Sequence, residues 1–96
     1  MNKVIISSVV LKKFCEALNV VGSTTGYFSL CGNHKDNMLY LDGHEVNAYC
    51  IVRSDFNVSI STKKINDLDD ILGLLSEQPI TVAFNLGYLS IESILI

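Results

Sequence analysis

Apolar and polar residues alternate along this chain with a period that switches repeatedly, and each switch marks an element. Lys3 to Ser7 is short, apolar and β-branched, which predicts a strand. Ser7 or Ser8 then caps a helix whose apolar positions Leu11, Phe14, Cys15, Leu18 and Val21 follow helical spacing up to Gly22. Thr25 to Gly32 predicts a second strand, with Phe28 and Leu30 on one face, and Asn37 to Leu41 a third beyond a polar turn. Asp42-Gly43 is a hairpin signal, because glycine takes positive φ without steric cost. Val46 to Arg53 predicts one strand, with Val46, Ala48, Cys50 and Val52 inward and Asn47, Tyr49 and Arg53 outward. After Ser54-Asp55, the alternation of Phe56, Val58 and Ile60 with Asn57, Ser59 and Ser61 describes a strand with one wet face.

A second helix is expected from an Asn66 cap, with Asp67, Asp69 and Asp70 complementing its N-terminal dipole. Leu68, Ile71, Leu72 and Leu75 form its apolar stripe, and Gln78-Pro79 ends it. Ile80 to Asn85 and Tyr88 to Leu95 read as two strands about a tight turn at Leu86-Gly87. The order is β-α-β-β-β followed by β-α-β-β, an α+β class in a single domain spanning residues 1–96. The halves echo each other: Val4-Ile5-Ile6-Ser7 enters the first helix much as Val58-Ser59-Ile60-Ser61 enters the second.

This pattern resembles one domain of the DNA sliding clamps, the family of the bacterial β clamp and proliferating cell nuclear antigen. The likeness is carried by Val10 to Leu18 as a first helix and by Asn37 to Leu41 with Val46 to Val52 as a hairpin. Leu68 to Leu75, Ile80 to Phe84 and Leu89 to Ile91 resemble the second helix and closing strands. The resemblance implies two β-α-β-β(-β) units forming antiparallel sheet with both helices on one face. A full clamp domain carries one more strand after Tyr88 to Leu95, so one sheet edge is expected to be open or paired with another copy. Clamp rings hold six such domains and turn basic helix faces toward DNA. Lys12 and Lys13 are the matching bases, opposed by Glu16. Asp67, Asp69, Asp70 and Glu77 make the second helix acidic, with Lys63 and Lys64 expected before it. Repeated around a ring, those acids repel a polyanion within about one Debye length, roughly 8–10 Å, which disfavours DNA.

Composition narrows the classes. The chain has 96 residues, 49% of them hydrophobic, but its longest apolar run, Ala48 to Val52, is far too short to span a bilayer. The apolar excess must fill a core or a protein interface. No basic and apolar leader is present in the first residues, and Cys15, Cys31 and Cys50 leave an odd thiol under any pairing. Buried reduced thiols in a cytoplasmic protein are expected. A net charge of −3 gives nucleic acid no encouragement.

Catalytic chemistry is not expected. Cys31, His34, His44 and Cys50 are metal-ligating types, but Cys50 lies roughly 20 Å from His44 along an extended strand, too far for one tetrahedral ion. The glycines are scattered, so neither a phosphate loop nor a dinucleotide fingerprint exists, and no cofactor or small-molecule substrate is implied. Asp69 and Asp70 are sequence neighbours and diverge on a helix. The expectation is a non-enzymatic module that binds a protein partner or a second copy of itself. Its interface strand is Tyr88, Leu89, Ile91, Ile94 and Leu95, apolar on both faces. The alternatives are a processivity ring subunit, or a small acidic inhibitor of phage or mobile-element type that covers a partner's basic site through Asp67, Asp69, Asp70 and Glu77.

Overall fold

The computed structural model describes residues 2–22, 26–73, 79–85 and 88–93. In chain order the elements are β1 (Asn2–Ser7), α1 (Ser8–Gly22), β2 (Tyr27–Asn33), β3 (Met38–Leu41) and β4 (Asn47–Tyr49). They continue as β5 (Ile51–Val52), β6 (Phe56–Ser61), α2 (Thr62–Leu72), β7 (Pro79–Asn85) and β8 (Tyr88–Ser93). The α+β class is as the sequence implies. The antiparallel strands are shared between two four-stranded sheets, ordered β5-β1-β7-β8 and β4-β3-β2-β6.

The two halves are interlocked. The strand that leads into α1, β1, pairs with β7 of the second half, placing Val4 opposite Val82 and Ile6 opposite Ile80. The strand that leads into α2, β6, pairs with β2 of the first half, placing Val58 opposite Leu30 and Ile60 opposite Phe28. The echoed Val-x-Ile-Ser segments each pair with the other half and pass straight into a helix, but β1 is flanked by β5 and β7 whereas β6 is an edge strand among the described residues. The helices pack against each other. One buried cluster joins Leu11, Phe14 and Leu18 of α1 and Ile65, Leu68 and Leu72 of α2 to the inward residues of both sheets. The rings of Phe56 on β6 and Phe84 on β7 stack at 6.1 Å across the gap between the sheets.

Two boundaries differ from expectation, each for a local reason. The second helix starts at Thr62, four residues before Asn66, because the Ser61 hydroxyl accepts the backbone N–H of Lys64 at 3.3 Å and so serves as the N-cap. Its first turn then holds no acid, so the helix dipole does not account for the three aspartates. The buried stripe gains Ile65 and loses Ile71, which is half exposed. Leu75 and Glu77 lie outside the described residues.

The strand expected over 46–53 is two strands in different sheets. The break falls at Cys50, where β4 has finished pairing with β3 and β5 begins pairing with β1. The β2–β3 turn holds this crossing in place. Asn37, in the left-handed region at φ 51°, accepts the Cys50 N–H on its carbonyl at 3.0 Å and the Val52 N–H on Oδ1 at 3.2 Å. His34 Nδ1 lies 2.7 Å from the Val52 carbonyl oxygen, while Asp55 accepts the His34 backbone N–H. Asn37→Ala is expected to cost about 2 kcal/mol, from a lost hydrogen bond plus left-handed strain. Asn37→Gly keeps the backbone conformation and should cost about half as much. Urea midpoints check the order: equal losses would mean that strain at this residue is unimportant.

Candidate functional surfaces

Strand alternation gives the β4-β3-β2-β6 sheet a distinctive outer face. On β2, Phe28 and Leu30 point into the core, which turns Tyr27, Ser29, Cys31 and Asn33 outward. On β3 and β4 the inward Leu39, Leu41 and Ala48 turn Met38, Tyr40, Asn47 and Tyr49 outward. On β6, Asn57, Ser59 and Ser61 complete the face. None of these positions carries a charge. Tyr27 and Tyr49 are among the most exposed large side chains of the described residues, at 65% and 75%.

Register sets the neighbours on this face. Tyr40 stands opposite Cys31 on one side and Asn47 on the other, and Met38 stands opposite Tyr49. The Cys31 thiol lies beside Tyr40 across β2 and β3. Burial pushes that thiol up, the Tyr40 side chain partly lowers it, and the Asp42 carboxylate raises it further. Cys31 is buried, as expected, and stands opposite Tyr40. Ser29 donates to Asn57 Oδ1 at 2.6 Å across β2 and β6.

Two shallow hollows lie on this face. The larger, about 650 Å³, is lined by residues that include Asn33, Asp36, Met38, Tyr40, Glu45 and Asn47. The smaller, about 360 Å³, shares Asn33 and Tyr40 and adds Cys31, Asp55 and Asn57. Tyr40 lines both.

The predicted site residues fall on other parts of the surface. Lys12 and Lys13 are exposed on α1, and Asp67 and Asp70 on α2; Asp69 lies within α2. The early start of α2 brings Lys63 and Lys64 into the helix, both exposed. The two helices together carry four lysines (12, 13, 63, 64) against four acids (16, 67, 69, 70), so α2 is less one-sidedly acidic than expected. Of the predicted interface strand, Tyr88, Leu89 and Ile91 belong to β8, with Ile91 half-buried against the core. Ile94 and Leu95 lie outside the described residues. β8 pairs with β7 from Asn85↔Tyr88 to Ile80↔Ser93, and among the described residues no strand pairs with its other edge.

His34 and His44 are exposed, as loop histidines should be, although the His34 ring is engaged by the Val52 carbonyl. The described residues hold no group of three or more metal-ligating side chains, and no helix among them is long and apolar enough to cross a membrane. Cys15, Cys31 and Cys50 are buried.

Burial raises Cys50 from the ordinary 9.0 to about 11. A group whose folded pKa is raised contributes its full stability below the unfolded value and loses it as pH climbs through the folded one. The melting temperature should therefore hold up to about pH 9 and fall toward pH 11. Cys50→Ala should flatten that slope in circular dichroism melts; an unchanged slope would assign the loss to other groups.

No family model, curated protein or solved structure matches this chain.

Proposed function

We propose that this chain is a non-enzymatic, protein-binding module of sliding-clamp-like construction that associates with itself through the edge strand β8. The open edge of β8 carries the reading. Six residues, Tyr88–Ser93, are fixed by β7 on one side, and among the described residues no strand pairs with the backbone N–H and C=O groups of the other. The strand contains no proline and a single charge, Glu92, so it lacks most of the devices that discourage edge pairing. A second copy laid antiparallel along it would satisfy those groups by a two-fold, self-complementary contact. The clamp-like part of the reading is supported by two helix-bearing units whose leading strands each pair with the other half, with their helices side by side.

Ser90→Lys tests the edge. Ser90 is exposed, so the substitution should leave unfolding within about 0.5 kcal/mol of the parent while placing a charge on the pairing edge. Self-association should weaken in sedimentation runs; an unaltered oligomer would move the contact away from β8. A second reading, a ring subunit that encircles DNA, draws on Lys63 and Lys64 lying within α2 beside α1 with its Lys12 and Lys13. Retention on circular DNA that is lost when the circle is cut would favour it over the first.

A further inference from the structure

The outer face of the β4-β3-β2-β6 sheet has the residue chemistry of a recognition surface, and its surroundings point to the sign of what it recognises. Tyrosine, asparagine, serine and methionine cover it without a charge, whereas an ordinary solvated sheet face carries lysine and glutamate. Tyrosine supplies broad contact area at low entropic cost, and Tyr40 and Tyr49 stand on adjacent strands. The ionisable groups that line the two hollows are Asp36, Glu45 and His44 in the larger and Asp55 in the smaller, three carboxylates against one imidazole. Asp42 acts electrostatically on both Cys31 and Tyr40. Lys35 and Arg53, the lysine and arginine nearest in sequence, line neither hollow.

We infer that this face docks an extended, arginine-bearing polypeptide segment. A guanidinium is weakly hydrated and planar. It stacks on a tyrosine ring while its forked N–H groups reach a carboxylate. Tyr40 lines both hollows, with Glu45 and Asp36 in the larger and Asp55 in the smaller, and so offers both kinds of contact. A nucleic-acid strand shares the stacking requirement but brings phosphates toward the same carboxylates, and repulsion removes it. This face belongs to the sheet that does not contain β8, so the inference stands apart from self-association through that edge.

The test is a nuclear magnetic resonance titration of the whole chain with a short peptide of alternating arginine and serine. A matched peptide carrying citrulline, which keeps the shape and loses the charge, is titrated in parallel. Amide shifts should concentrate at Tyr40, Tyr49, Asn47 and Met38, and the citrulline peptide should bind at least about tenfold more weakly. Tyr49→Ser and Glu45→Gln, both at exposed positions, should each weaken the arginine peptide about threefold while leaving the melting temperature in place. Equal binding of the two peptides overturns the inference, as do shifts confined to the helices or to β8. Tighter occupation of this face by a single-stranded oligonucleotide overturns it as well. None of these failures touches the β8 contact, which is read by mass.

Discussion

Replacing Phe84 with alanine is expected to remove about 3–5 kcal/mol of stability, out of the 5–15 kcal/mol or so that a domain of this size commands. Phe84 is 1% exposed near the end of β7, and its ring lies against Phe56 from the opposite sheet at an interplanar angle of 20°. Truncation leaves a cavity between two sheets that cannot collapse independently, because β1 and β7 in one and β6 and β2 in the other tie the halves together. Relaxation is limited where both walls are hydrogen-bonded ladders, which puts this site toward the costly end of the range. Phe56→Ala should cost less, since Phe56 is only partly buried. Urea unfolding followed by circular dichroism decides it; a loss under about 1 kcal/mol would mean that the sheets are not held together here.

The second large effect comes from adding a single methyl group. Gly32 sits on the inward side of β2 directly under the Phe56 ring, and a Cβ built there would lie 2.0 Å from Cε1 of that ring. No real contact is that short, so Gly32→Ala must push the ring aside and disturb its stack with Phe84. Overpacking of this kind costs about 1–3 kcal/mol or more. The mechanism makes a further demand. In a Phe56→Leu background the ring is gone, and the same alanine should cost distinctly less, with a coupling of about 1 kcal/mol or more between the two positions. Additive losses in that cycle would show that the glycine matters for its backbone and not for the ring above it.

Much of this architecture is visible in the chain. The first helix is read correctly from end to end because Leu11, Phe14, Cys15 and Leu18 keep strict helical spacing between a serine and a glycine. The α+β class follows from the switches in period. What escapes is of two kinds. The start of α2 is missed because Thr62-Lys63-Lys64 reads as a polar linker, although Ser61 caps the helix one turn before Asn66 would. The division of residues 46–53 between two sheets is invisible because the inward series Val46, Ala48, Cys50, Val52 keeps its period through the crossing. Alternation records which side of a strand faces the core and is silent on which strand lies beside it. The exchange of β1 and β6 between the halves escapes for the same reason.

The candidate surfaces divide similarly. Tyr49 and Asn47 are turned outward by the alternation seen in sequence, but their meeting with Tyr40 and Met38 depends on register. Cys31 is buried as the sequence leads one to expect, but its place opposite Tyr40 comes from the register. The exposed Lys12, Lys13, Asp67 and Asp70 are where helical periodicity places them, and the lysines that α2 gains alter the charge balance those aspartates suggested.

Sedimentation equilibrium across a concentration series tests the central claim most directly. A chain that pairs along β8 should weigh a multiple of 10.6 kDa at high concentration and return toward that value on dilution, with Ser90→Lys shifting the return to higher concentration. A mass of 10.6 kDa at every concentration would contradict it.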